Sequence, residues 1–155
     1  MSDLPDLPDL PCRFDKLMGL RFEEATGDRV VAVVPVTPDL HQHHGIVHGG
    51  VYATMVETTA SVGAATWLGT AGRPVGIANS TDFLRAVREG ELRAEATPVN
   101  RGRSTQLWEV TITDERGRAV AHGHVRLMNL GAEPGAGGST AQEAQPRRRL
   151  SRGGR

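Results

Sequence analysis

Two kinds of periodicity divide the chain. Residues 20–24 and 29–36 read as strands with alternating apolar and polar positions, and Thr26-Gly27-Asp28 between them supplies turn chemistry, which predicts a hairpin. Pro35, Pro38 and a histidine-rich loop follow, ending in Val47-His48-Gly49-Gly50. From 50 to 68 the residues are small or apolar, with no proline and with Ala, Met and Leu among them. That stretch predicts one helix, about 28 Å long at 1.5 Å per residue. Residues 69–74 break it, and extended segments follow at 75–87, 91–100 and 104–113. Asp114-Glu115-Arg116-Gly117 is a strong turn, and 118–130 is a last strand. Two strands, one long helix and four strands with no helix between them exclude a βαβ architecture. They predict an α+β fold, an antiparallel sheet packed on one helix.

Composition narrows the picture. The chain has 155 residues, enough for one core. Lys and Arg total 18, as do Asp and Glu, so the formal net charge is zero, unlike a dedicated nucleic-acid binder with its strongly basic face. Only 38% of residues are apolar, and the deficit lies at the ends. Residues 1–11 are acidic and punctuated by proline, which predicts a flexible segment and lacks the basic start and apolar run of a secretory signal. Residues 131–155 are rich in Gly, Ala and Arg, hold one large apolar residue, Leu150, and carry a net +3 that leaves 1–130 at −3. Such a tail cannot offset the entropy cost of ordering and is expected to be disordered and solvated. The domain is therefore placed at 12–130. Cys12 is the single cysteine, which excludes an intrachain disulfide and fits a reducing compartment. The least polar run, 51–68, contains Glu57 and is a poor membrane span. A soluble, cytoplasmic protein is expected.

The predicted helix carries the candidate chemistry. Between His48 and Arg73, Glu57 is the one residue charged at neutral pH. A carboxylate on a helix wrapped by a sheet is costly unless it is hydrogen-bonded or placed at a cleft. Ser61 at i+4 and Thr54 at i−3 share its face. At the helix start, His48-Gly49-Gly50 places uncovered backbone N–H groups and the positive end of the helix dipole where an oxyanion could sit. Glycine there permits close approach to the backbone. Donors at the helix start, with a carboxylate beside a hydroxyl two turns on, suit acyl transfer.

The combined pattern Gln42-x5-His48-Gly49-Gly50-x6-Glu57-x3-Ser61 resembles the hotdog-fold acyl-CoA thioesterases of the phenylacetate-degradation type. Within them it is most similar to the branch holding 4-hydroxybenzoyl-CoA and 1,4-dihydroxy-2-naphthoyl-CoA thioesterases. The resemblance continues through 79–85, 89–96 and 100–109 and covers about residues 14–130. It implies a curved antiparallel sheet wrapped around one long central helix. It implies that Glu57 is the nucleophile or the general base acting on water, both open to a carboxylate. By the same resemblance the Gly49 N–H polarises the thioester carbonyl, Gln42 and His48 hold the thioester, and Ser61 positions the water. The sheets of two protomers join, each site takes residues from both, and a homodimer is the minimum unit, with a homotetramer expected. Arg85, Arg103, Ser104 and Thr105, with Gly50, fall in segments that resemble those contacting coenzyme A. Arginine suits its phosphates because the planar fork donates two parallel hydrogen bonds. Ala86 departs from the proline that many relatives carry after the arginine, which bears on local rigidity.

Other chemistries find less support. His41, His43, His44 and His48 lack an HExxH pattern and paired cysteines, and have only Asp39 nearby, so no metal and no cofactor is expected. His122-x-His124 shares one face of the last strand, where packing or exposure is the expected role. There is no Gly-x-Ser-x-Gly elbow and no Walker or dinucleotide glycine pattern. Trp67, Trp108, Tyr52 and the three Phe are too scattered for a base-stacking platform and are expected in the core. The reading is hydrolysis of an aromatic or medium-chain acyl-CoA. Its alternatives are a non-catalytic acyl-CoA sensor and a thioesterase acting on carrier-bound acyl groups.

Overall fold

Strands β1 (Arg21–Ala25) and β2 (Val30–Pro35) form the hairpin expected from the Thr26-Gly27-Asp28 turn. The turn is closed by Thr26, whose amide donates to the Arg29 carbonyl and whose Oγ1 accepts the Arg29 N–H, both at 2.9 Å. The computed structural model describes residues 6–131. A short helix α1 (Arg13–Leu17) precedes the hairpin, the long helix α2 (Gly49–Leu68) follows it, and β3 (Gly72–Phe83), β4 (Glu91–Arg101), β5 (Thr105–Thr113) and β6 (Ala119–Gly131) complete the chain. All pairings are antiparallel, in the order β1-β2-β4-β5-β6-β3. The expected 131–155 tail lies, apart from Gly131, outside the described residues, as do residues 1–5. Among the described residues no helix is long and apolar enough to cross a membrane.

Helix α2 lies against the sheet from β1 across to β3. A flat six-stranded sheet is about 24 Å wide at 4.8 Å per strand, twice the width of a helix. Contact with every strand therefore requires the sheet to curl around α2, as expected for the hotdog fold. The helix buries Val51, Tyr52, Met55, Val56, Thr59, Ala60, Gly63 and Ala64, a stripe at helical spacing. Facing it are Leu92, Ala94 and Ala96 of β4 and Trp108, Val110 and Ile112 of β5, alternating with outward Arg93, Glu95, Thr111 and Thr113.

Two local features depart from the sequence reading. Helix α1 was not expected; its amide end is held by a reciprocal cap in which Asp15 Oδ2 accepts the Cys12 N–H at 3.0 Å. The buried Asp15 also accepts a hydrogen bond from Thr58 Oγ1 on α2 at 2.8 Å, tying the two helices. In β2, Val30 to Val34 are buried on both faces instead of alternating. The register sets Val31 beside Glu24 and Glu95, and Val33 beside Arg21 and Arg93. Those residues form ion pairs, among them Arg29 with Glu24 and Glu95 and Arg93 with Glu23, and their aliphatic stems cover the outward valines.

The two sheet edges differ. β1 carries Arg21, Glu23 and Glu24 and a register shift between Phe22 and Glu24, devices that discourage further strand pairing. Among the described residues β3 pairs only with β6, and from Gly76 to Ser80 every residue is exposed with no charge among them.

Candidate active site

His48 caps α2. Its Nδ1 accepts the Gly50 N–H at 2.8 Å, which places the neutral ring's proton on Nε2 and spends the Gly50 amide. The Gly49 N–H has no hydrogen-bond partner among the described residues, leaving one donor at the positive end of a 20-residue helix. A Cβ on Gly49 would lie 2.5 Å from Cε2 of Phe83, so the close approach that requires glycine is made by an aromatic ring. Beside this donor is a cleft of about 320 Å³ lined by Gln42, Gly49, Tyr52, Phe83, Leu84 and Arg85, among others. Gln42 Oε1 accepts the His44 N–H, which fixes the amide within its turn. The Arg85 backbone donates to the Val120 carbonyl at 3.1 Å.

Tyr52, like Trp108, lies in the core as expected and also lines this cleft, whereas Phe14, Trp67 and Phe83, expected in the core too, are exposed. Tyr52 is 3% exposed, and its hydroxyl has no hydrogen-bond partner among the described residues. Burial pushes that hydroxyl above the usual phenol range. A buried, unpaired hydroxyl beside a cleft calls for a partner. Sequence offered no signal beyond an aromatic inside the helix's first turns.

Glu57 lies eight residues beyond Gly49, about 12 Å along the axis. It is half-buried, and Asn79 Nδ2 on β3 donates to its Oε2 at 3.2 Å and to the Ala53 carbonyl at 3.0 Å. Across from it, a Cβ on Gly76 would lie 2.2 Å from Oε1, so the carboxylate occupies the space a side chain would fill. The β3 register shifts between Gly76 and Ala78, bending the strand next to this contact. Ser61 is half-buried one turn on, and Thr54 Oγ1 donates to the Gly50 carbonyl at 2.8 Å.

Within one chain these residues do not converge. Gln42, Gly49 and Arg85 share the first cleft, while His48, Gly50 and Thr54 line another of about 370 Å³ on the far side of the helix start. Glu57 and Ser61 line neither. Arg103 and Ser104 in the β4–β5 turn and Thr105 at the start of β5 lie beside the end of β6 at Met128 and Asn129, whereas Arg85 binds at Val120. Nine residues of β6 separate Val120 from Asn129, about 30 Å of strand.

A profile of the Thioesterase superfamily matches residues 44–121. Rv1847 of Mycobacterium tuberculosis, an esterase by name, is 46% identical over 140 residues that span 86% of this chain and all of its own. Its solved structure covers 79% of this chain and all of its own with a TM-score of 0.77. The chain belongs to the thioesterase superfamily. The proofreading thioesterase EntH of Cronobacter turicensis is 34% identical over 74% of this chain and 83% of its own length. The solved thioesterase HI1161 of Haemophilus influenzae superimposes with a TM-score of 0.73 at 29% identity, covering 76% of this chain and 82% of that one. This thioesterase thus has the hotdog fold expected from the sequence and is a thioester hydrolase.

Proposed function

We propose that this thioesterase hydrolyses an aromatic or medium-chain acyl-CoA to the acid and free CoA, in the manner of the 4-hydroxybenzoyl-CoA and 1,4-dihydroxy-2-naphthoyl-CoA branch. The observation that carries the reading is a carboxylate seated between Asn79 and Gly76, on a helix whose first amide, at Gly49, is unpaired. The Gly49 N–H polarises the thioester carbonyl, Gln42 and the His48 Nε2–H hold the thioester, and Ser61 places the water. Glu57 attacks the carbonyl or takes the water's proton. Tyr52 forms part of the wall of the cleft that receives the acyl group, and Arg85, Arg103, Ser104 and Thr105, with Gly50 giving room, receive the CoA phosphates.

Gly49 and Glu57 stand about 12 Å apart along the helix axis, and Glu57 does not line the cleft at Gly49, which favours a carbonyl held between two chains over one held within a single chain. A second copy joined along the exposed, uncharged edge of β3 would supply the missing half, and Ile77, Phe83 and Leu84 on and beside that edge are about half exposed. The homodimer is then the smallest active unit, and two dimers pair into a tetramer. Membership of the thioesterase superfamily supports hydrolysis over a non-catalytic acyl-CoA sensor. A second reading, release of acyl groups from a carrier protein in a proofreading role, is favoured by the likeness to EntH, a proofreading thioesterase.

Thiol release from benzoyl, 4-hydroxybenzoyl, phenylacetyl, 1,4-dihydroxy-2-naphthoyl, hexanoyl and palmitoyl thioesters of CoA tests the substrate, with benzoyl-carrier protein alongside. Fast release from an aromatic or hexanoyl CoA thioester is expected; release confined to the carrier arm would transfer the reading to carrier-bound substrates. Mixing Glu57→Ala chains with His48→Ala chains, each inactive alone, should restore part of the activity. Hybrids that form and stay inactive would show that the site is not shared. Gly76→Ala should lower kcat by about 100-fold, the cost of shifting a catalytic group by about 1 Å. Its melting temperature should stay near wild type, because the displaced atom is the free end of a side chain. Unchanged turnover would mean that Glu57 works from another position.

A further inference from the structure

On the outer face of the sheet, away from α2, three side chains converge that the thioesterase site does not use. His122 and His124 alternate with Gly123, whose missing Cβ points at Val56 of the helix, so both imidazoles face outward. Register sets Glu109 of β5 directly opposite His124 and two positions along from the Thr111–His122 pair, on the same face of the sheet. Glu109 Oε2 lies 3.7 Å from His122 Nε2 and 3.9 Å from His124 Nε2. The two rings stand nearly perpendicular, 82° apart, with centroids 4.9 Å from each other. One ligand atom from each of the three residues lies within 4.8 Å of the others.

These distances are too long for hydrogen bonds. They match what a single ion asks for: tetrahedral zinc with bonds of about 2.0–2.1 Å keeps its ligand atoms about 3.4 Å apart. Closing the two gaps to the carboxylate takes a few tenths of an ångström, and bringing the two imidazole nitrogens, within 4.8 Å of each other, to that spacing takes at most about 1.4 Å of ring rotation. Two imidazoles and a carboxylate select zinc-like transition ions over magnesium or calcium, which prefer oxygen. The strand backbone fixes the His-x-His spacing, so little ordering is left for binding to supply. Asp82 of β3, opposite His122, adds negative charge on the other flank, against Arg126 further along β6.

We infer that Glu109, His122 and His124 form a binding site for one divalent transition-metal ion on the outer face of the sheet, with a fourth position open to solvent. The site stands apart from Glu57, on the opposite side of the sheet, and does not depend on the thioesterase reading.

The test uses the full chain purified without a histidine tag. Zn2+ is titrated calorimetrically, and Co2+ is followed by its visible bands, which report low coordination number. Wild type should bind one ion per chain at micromolar metal. His122→Gln and His124→Gln should each weaken binding more than about tenfold, the smallest loss seen even for groups one shell out from a metal. Glu109→Gln, nearly isosteric, should weaken it as well, and all three variants should melt as wild type does. A His43→Gln/His44→Gln variant should bind as wild type. Absence of binding by wild type at micromolar metal, or undiminished binding by the His122→Gln/His124→Gln double variant, would overturn the site. Binding lost in the loop variant instead would overturn it equally.

Discussion

Replacing Glu57 by alanine should lower thioester turnover by about 10³-fold, within the range that general acid–base groups supply. The rest of the molecule should be left intact. Glu57 is the one charged residue of α2, Asn79 is its hydrogen-bond partner, and among the described residues no ion pair involves it. Alanine is a better helix former and removes a half-buried carboxylate, so the melting temperature should hold or rise. KM should change little if the carboxylate acts on the reacting carbon or its water rather than on the CoA. Glu57→Asp is the sharper comparison: it keeps the charge but withdraws it by one methylene from the Asn79 amide, and should also lose most of the rate. Near-wild-type kcat in Glu57→Ala, with the protein folded, would remove Glu57 from the chemistry.

The largest effect on stability is expected from Gly63→Ala. Gly63 is buried where α2 crosses β5, and a Cβ there would lie 2.5 and 2.6 Å from the ring carbons Cζ3 and Cη2 of Trp108. Trp108 is fully buried and cannot swing aside cheaply: its Nε1 donates to Gln106 Oε1 at 2.9 Å, and Gln106 Nε2 in turn donates to Asn129 Oδ1 at 2.8 Å. Overpacking a core costs about 1–3 kcal/mol, against a gain of up to about 1 kcal/mol from removing glycine from a helix. A net loss of about 1–2 kcal/mol corresponds to a fall of roughly 3–8 °C in Tm, measurable by scanning calorimetry. An unchanged or raised Tm would mean that helix and sheet can part at this crossing without cost. The contrast with Gly76→Ala is instructive. Both glycines admit a neighbour at short range, but one neighbour is a hydrogen-bonded indole in the core and the other the far end of a half-buried, flexible side chain.

Much of the fold was legible because it is encoded locally. The turn at Thr26-Gly27-Asp28, the uninterrupted helix ended by Gly69, and the alternation of Leu92, Ala94 and Ala96 with Arg93 and Glu95 each follow from neighbours in the chain. The order of the strands does not. That β3 leaves the helix and crosses to the far edge, beside β6, depends on packing among distant segments. Helix α1 was missed because its five residues carry too little periodicity, and its cap depends on Asp15 reaching back to Cys12. In the site, the residue types at the helix start and at Glu57 were readable from their spacing. Their partners were not: Asn79 meets Glu57 only through the β3–α2 contact, and His48 takes the Gly50 amide by a turn of its ring. The pairing of Glu109 with His122 and His124 likewise exists only in the β5–β6 register.

The unlike edges of the sheet set the arithmetic of growth. If two copies meet along β3 about a two-fold axis, both open edges are consumed in one contact, and what remains at either end of the joined sheet is β1. That strand is short, charged and shifted in register. No third sheet finds a free, flat margin to add to, so a chain that carries an adhesive strand stops at a closed pair instead of running on into a fibril.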